Sequence, residues 1–281
     1  MTVNEPPPYQ IAPLILTERE RLIELLAGLD PADWQRPSPC PGWTVLGLCA
    51  HLAGDDLGFL ARHRDGFHGT PGPEHAGEEE FVAWLDAMQD EWVTAARRMS
   101  PRIVTDLLTW SGPQVAETMR AQDRSARTAS VSWAGTGPVP VWLDQVRELS
   151  EYWIHRQQLL HAVDRPSDLR ADLAGPVLDG LRFAYPFRLG PVRSEPGDTV
   201  TISVSGPVAV TWFLVAGPDG WEFRDQPGTR GVAAMSVSTE QAWRLLTNNL
   251  PATERSRITA AGDPAILGIL DRTRAIIGLP R

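Results

Sequence analysis

The sequence predicts an α+β protein in two parts: a helical bundle over residues 1–165 and a smaller α+β domain with a mainly antiparallel sheet over residues 166–281. Two observations predict it. Up to Val163 the apolar residues recur at three- and four-residue spacing through long stretches, the period of helices with one buried face. After Asp164-Arg165-Pro166-Ser167 they alternate, or cluster as β-branched runs between Gly- and Pro-rich breaks. With 281 residues, 42% of them hydrophobic, the chain can bury one large core or two ordinary ones.

The first helix is expected over Tyr9–Leu29, where Ile11, Leu14, Ile15, Leu22, Ile23, Leu25, Leu26 and Leu29 share a face opposite Glu18-Arg19-Glu20-Arg21. Pro31, Pro37, Pro39 and Pro41 exclude helix from the next stretch. Thr44 offers an N-cap for a second helix reaching Arg64. Residues 63–77, rich in Gly, His and Pro, read as a loop. A third helix starts at Glu78-Glu79-Glu80, whose charges suit a helix N-terminus, with Phe81, Trp84, Leu85, Met88, Trp92 and Ala95 as its expected buried stripe. Residues 103–140 show no clear period and read as irregular with one short helix. The fourth long helix is Val141–Val163. Four long helices suggest a four-helix bundle, a fold that builds metal sites from facing helices.

In the second half a helix is expected over Leu169–Phe187. Strands follow at Thr199–Ser205, Val208–Val215, Trp221–Arg224 and Gly231–Val237, with Gly217-Pro218-Asp219-Gly220 as a hairpin turn. A helix from Thr239 to Asn248, a strand Arg257–Ala261 and a helix Asp263–Ile277 complete the chain.

Charge and composition exclude several functions. A net charge of −9 disfavours nucleic acid and anionic membrane as partners, since both need a cationic footprint. No apolar run is long enough for a membrane span, and the N-terminus does not read as a signal peptide, so a cytoplasmic protein acting on small molecules is expected. Two cysteines do not make a disulfide framework in a chain of this length. All 26 basic residues are arginine, a bias that points to a high-GC genome. Oligomeric state is not legible.

The chemistry concentrates in Glu151-Tyr152-Trp153-Ile154-His155. Glutamate and histidine four apart lie on one helix face, about 5–6 Å between Cβ atoms, so two metal ligands can converge on one point. His51, in the second turn of the second helix, is a third candidate. Two histidines and a carboxylate leave a fourth position open, as a catalytic zinc requires, whereas a structural zinc is closed by four ligands. Taken alone, the Glu–His spacing more often marks a solvated surface pair. His63, His68, His75 and His161 read as solvent or packing residues, and Asp55 as a surface carboxylate that shares a face with His51. Arg224, Arg230 and Arg244 could present a cation to an anionic substrate.

Cys40-Pro41-Gly42-Trp43-Thr44-Val45, followed by Ala50-His51-Leu52, resembles the N-terminal motif of the mycothiol-dependent maleylpyruvate isomerase family, with its DinB-like metal-binding domain. Glu151-x-x-x-His155 resembles that family's second ligand motif. The stretches Ser236–Arg244 and Ala261–Pro264 look like its sterol-carrier-like C-terminal domain. The resemblance implies that His51, Glu151 and His155 bind Zn²⁺ or another divalent metal, and that the cofactor is mycothiol, a low-molecular-weight thiol of actinobacteria. Zinc stabilises a thiolate, so an external thiol with an ordinary pKa near 8.5 becomes nucleophilic at neutral pH. Cys40 and Cys49 are then expected to be structural. The chain departs from the family pattern at Leu46-Gly47, where Arg-Asp is usual, and at Gln158, where Asp is usual.

The function expected from this is a zinc- and mycothiol-dependent S-transferase, in which the thiolate attacks an electrophilic small molecule and the conjugate leaves. One alternative is a cis–trans isomerase of maleylpyruvate type, in which the adduct rotates about the former double bond and expels the thiol. Two further alternatives are a hydrolase that activates water at the same ligands, and a non-catalytic protein that binds a small ligand.

Overall fold

The computed structural model describes residues 6–69, 72–73 and 78–275. His75 and the expected end of the last helix at Ile277 lie outside the described residues. Among the described residues the chain divides into two compact units, one holding Pro8–Asp123 and Glu151–Asp168, the other Arg124–Ser150 and residues 169–275. Among the described residues no helix is long and apolar enough to cross a membrane.

The first unit is helical: α1 (Ile11–Ala27), α2 (Val45–His63), α3 (Glu78–Ala96), α4 (Pro101–Ala121) and the second half of α5 (Val141–Ala162). Helix α1 packs on α4, and α2 on both α4 and α3. Ile11, Ile15, Leu22 and Leu26 form the buried face of α1, and Val45, Leu48, Leu52, Phe59 and Leu60 that of α2. Thr44 caps α2, its hydroxyl accepting from the Gly47 N–H at 3.2 Å.

Two expectations need correction here. Residues 101–121 form a full helix, capped by Ser100 with Pro101 in its first turn. Its buried stripe is Val104, Leu108, Ser111, Gly112, Val115, Ala116 and Met119, too small and polar in the middle to register as apolar. Gly112 is required there, because a Cβ would lie 2.7 Å from Cγ of Arg19 on α1. In α3 the face is rotated from the one expected. Val82, Val93 and Ala96 are buried, while Phe81 and Met88 are 38% and 41% exposed. That rotation turns Gln89 inward.

The proline-rich stretch after α1 makes a 3₁₀ turn, Asp33–Gln35, that buries Trp34. It then closes a loop through Ser38 N–H to Trp43 O at 2.9 Å and Val45 N–H to Arg36 O at 2.9 Å. Gly42 takes φ +85°, a left-handed conformation that glycine adopts freely. This loop delivers Cys40 and Trp43 to the start of α2.

The second unit opens with the short pair β1 (Arg127–Thr128) and β2 (Val139–Pro140), antiparallel, and the first half of α5. Helices α6 (Ala171–Leu181) and α7 (Ala184–Leu189) replace the single helix expected over Leu169–Phe187. Pro186 has no N–H to give the Arg182 carbonyl, which accepts from Tyr185 N–H at 3.0 Å in a tighter turn.

Five strands follow: β3 (Asp198–Ser205), β4 (Val210–Gly217), β5 (Gly220–Arg224), β6 (Arg230–Ser238) and β7 (Thr259–Gly262), in the order β5-β4-β3-β6-β7. Only β3 and β6 run parallel, so the sheet is mainly antiparallel as expected. Gly217 pairs with Gly220 across the two-residue hairpin turn. Val200, Ile202 and Val204 on β3 alternate inward, as do Ala233, Met235 and Val237 on β6. Helix α8 (Thr239–Leu246) packs on these two strands behind a capping box of Ser238 and Gln241. The short α9 (Ala252–Arg255) and α10 (Pro264–Arg272) follow, the last helix stopping at Arg272.

Candidate metal centre

Two buried polar clusters set the rotation and register of α5 in the first unit. The Tyr152 hydroxyl donates to Asp56 Oδ1 at 2.7 Å, and Arg19 and Ser111 hold the same carboxylate from α1 and α4. One turn on, Arg156 grips Glu18 of α1 with Nε and Nη2 and reaches Asp168 Oδ2 with Nη1 at 3.0 Å. Arg156, Glu18 and Asp56 are almost completely buried. The neighbouring positions, Glu151 and His155, are thereby turned toward α2.

His51 meets them there. Its Nε2 lies 3.2 Å from Glu151 Oε1, and His155 Nε2 lies 2.8 Å from the same oxygen. The two imidazoles stand edge to face, with centroids 4.9 Å apart and planes at 82°. One ligand atom from each of the three residues lies within 4.8 Å of the others. Around a tetrahedral zinc with bonds of roughly 2.0–2.2 Å, neighbouring ligand atoms are about 3.3–3.5 Å apart. The observed contacts are close to that spacing. Two imidazole nitrogens and a carboxylate oxygen are also a donor set zinc accepts with one position to spare. The residues present therefore fit a small divalent ion. The Glu151 side chain is 31% exposed, against 7% for His51 and 12% for His155, so the cluster is open on the glutamate side.

The electrostatics agree with a site that binds cations. Burial works against charge on Glu151, but the two histidines outweigh it and hold its carboxyl well below the usual range. Burial likewise opposes protonation of His155, and is outweighed by Glu151 and Cys40, which raise it well above the ordinary imidazole value. His51 is raised as well, because Asp55 and Glu151 overcome its burial. A ring nitrogen binds an ion only in its deprotonated form, so metal binding at this cluster competes with protons.

Several neighbours were not legible as site residues. Asp55, expected at the surface, sits in the centre with Oδ2 3.1 Å from His51 Nε2, and burial raises its carboxyl. Gln89 of α3 places Oε1 3.1 Å from His51 Nδ1 and donates from Nε2 to Asp55 Oδ1 at 3.1 Å. Gln158 places Oε1 2.7 Å from His155 Nδ1. Cys40 is not merely a loop residue, since its Sγ lies 3.2 Å from that same oxygen. The Trp43 ring lies 4.9 Å from the His51 ring, held by an indole N–H bond of 2.7 Å to Asp90. The signal for Gln89 was its place on the inward face of α3, seven residues after Val82 and four before Val93.

Residues left out of the centre have other roles. Cys49 is fully buried, and burial pushes its thiol up, so it stays protonated. His63 stacks on Phe59, and His161 bonds Ser167 at 2.8 Å. Arg224, Arg230 and Arg244 are each engaged by carboxylates of the second unit: Glu222, Asp198 and Glu254 respectively.

Residues 15–160, which include His51, Glu151 and His155, match the family model described as the mycothiol maleylpyruvate isomerase N-terminal domain. The chain belongs to this family. A crystal structure of the mycothiol-dependent maleylpyruvate isomerase is similar to it with a TM-score of 0.55 at 16% identity, over 93% of this chain and 95% of that one. The crystal structure of a histidine-to-alanine mutant of that isomerase gives a TM-score of 0.54 at the same identity and coverage. At this identity the likeness establishes a shared fold, including the helical region and the antiparallel-rich sheet. No curated protein matches the sequence.

Proposed function

We propose that this family member is a metal- and mycothiol-dependent cis–trans isomerase acting on a small electrophilic acid of the maleylpyruvate type. The observation that carries the proposal is the His51–Glu151–His155 cluster, which lies inside the stretch matched by the isomerase family. The family favours isomerisation over the S-transfer that the sequence alone suggested. In this reading His51, Glu151 and His155 hold the ion, with zinc as the expected metal. When bound, the ion supplies a Lewis acid that keeps a thiol in its nucleophilic, deprotonated form. The chain's own contribution is to hold two neutral nitrogens and one carboxylate in place and to keep the exposed side of Glu151 open for the thiol. A cytoplasmic location and small-molecule partners, with no nucleic acid or membrane, belong to the same reading. So does the assignment of residues 1–165 to metal and thiol binding and of 166–281 to a sterol-carrier-like domain.

Asp55 favours one second reading. A half-buried carboxylate beside His51 is the general base that a water-activating hydrolase would need, and none could be named from spacing. Metal content and turnover of a cis-configured conjugated oxo-acid, measured with mycothiol, with other thiols and without thiol, separate the two. Isomerisation that needs both metal and mycothiol is expected, and is lost in His51→Ala. Thiol-independent hydrolysis of an ester or amide panel, with no isomerisation, would overturn the isomerase reading.

A further inference from the structure

A histidine offers a metal one ring nitrogen, and the partner of the other nitrogen decides which. Here both Nδ1 atoms face a glutamine oxygen, Gln89 Oε1 at 3.1 Å for His51 and Gln158 Oε1 at 2.7 Å for His155. The orientation of each amide is set by a second group. Gln89 Nε2 donates to Asp55 Oδ1 at 3.1 Å, so the NH₂ faces Asp55 and the oxygen faces His51. Gln158 Oε1 also receives Cys40 Sγ at 3.2 Å, and a thiol donates more readily than its sulfur accepts, so the carbonyl faces both Cys40 and His155. A carbonyl can be satisfied at Nδ1 only by N–H. That leaves both Nε2 atoms on the Glu151 side, 3.2 and 2.8 Å from Oε1.

We infer that Gln89 and Gln158 are positioning residues that hold His51 and His155 with Nδ1 protonated and Nε2 presented to the ion, with Asp55 and Cys40 as the groups that orient the two amides. The inference rests on the metal reading above. It gives Cys40 a role as a hydrogen-bond donor, distinct from nucleophile or ligand. Both amides are neutral, so they add no charge beside the ion. The two amides also come from different helices, α3 and α5, so neither imidazole depends on the other's support.

The test uses the full-length protein and Zn²⁺ or Co²⁺ affinity measured by chelator competition. Gln89→Met and Gln158→Met replace each amide with an apolar chain of similar length. Each is expected to weaken metal binding 10- to 100-fold, with little change in the melting temperature of the metal-free protein. Gln158→Glu keeps an acceptor oxygen and is expected to bind close to the parent. Cys40→Ser keeps a donor and is expected to match the parent, whereas Cys40→Val weakens binding. In the ¹⁵N spectrum of the zinc-loaded parent both histidines should show a protonated Nδ1, and Gln158→Met should remove the protected His155 signal. Methionine variants that bind as tightly as the parent, or a zinc-loaded parent with Nδ1 as the bound nitrogen, would overturn the inference while leaving the metal site intact. A parent that binds no ion would overturn the metal reading and this inference together. Should one methionine variant fail to fold, the other carries the same test on a different helix.

Discussion

Arg156→Met probes how the site is held. Arg156 is 3% exposed, with Nη2 2.9 Å from Glu18 Oε2, and Glu18 is itself 1% exposed. Methionine fills much of the volume but leaves Glu18 as a buried carboxylate without its cation. Removing one partner of a buried pair costs about 3–5 kcal/mol. Asp168, the other partner, is 18% exposed and partly hydrated, so most of the loss is assigned to Glu18. For a cooperative unit of this size, that is a fall in Tm of roughly 6–20 °C. The loss has a pH signature. Burial already raises the Glu18 carboxyl, and Arg156 is the main group opposing that rise. Without Arg156 the folded-state pKa rises further above the unfolded value. The native state then holds more protons than the unfolded state, so the variant gains stability as pH falls, about 1.36 kcal/mol per unit within that window. Urea denaturation of both proteins at pH 7 and pH 5 should show a deficit that shrinks at pH 5. A deficit below about 1 kcal/mol, or one equal at both pH values, would refute this account of the pair.

Other perturbations reach the centre from different sides. Gly54→Ala puts a Cβ 2.3 Å from Trp92 Nε1, which donates to Ala50 O and clamps α3 on α2. Overpacking of this kind costs about 1–3 kcal/mol, and because Gln89 is one turn from Trp92, metal affinity should fall with stability in a chelator-competition assay. Metal affinity should rise with pH. The histidines lie above their ordinary 6.5 in the metal-free fold, so the stability they lend it is present below 6.5 and lost as pH rises through their folded values, the range in which the ion wins their Nε2 atoms. Titrations from pH 6 to 9 that show a flat affinity would contradict this. Glu151 is held well below 4.5 and stays anionic as pH falls through that value, so acid release of the metal should follow the histidines. In the second unit, Ser238→Ala removes the cap of α8 and should cost about 1 kcal/mol in denaturant unfolding, with no change in metal content.

The clustering of His51, Glu151 and His155 was legible because two motifs carry them, and the second half was readable because its strands alternate in the usual way. The limits of the sequence have physical causes. Helix α4 was hidden because the middle of its inward face is Ser111 and Gly112, where Arg19 crosses the backbone and size matters more than hydrophobicity. In helix α3 the largest apolar residues are not the buried ones: Phe81 and Met88 are exposed and Gln89 takes the inward place against His51. Cys40 and Gln158 lie 118 residues apart and meet only when the proline-rich loop closes on α5, which no local pattern encodes. Asp55 shared a face with His51 as expected, but whether that face is solvent or site depends on α3 and α5 arriving there.

The most direct test of the central claim is the electronic spectrum of the Co²⁺-substituted protein titrated with mycothiol. A thiolate-to-metal charge-transfer band that grows to one equivalent, and is absent in Glu151→Ala and His51→Ala, is the predicted result. No such band with any thiol, in a parent protein that demonstrably holds the metal, would contradict it.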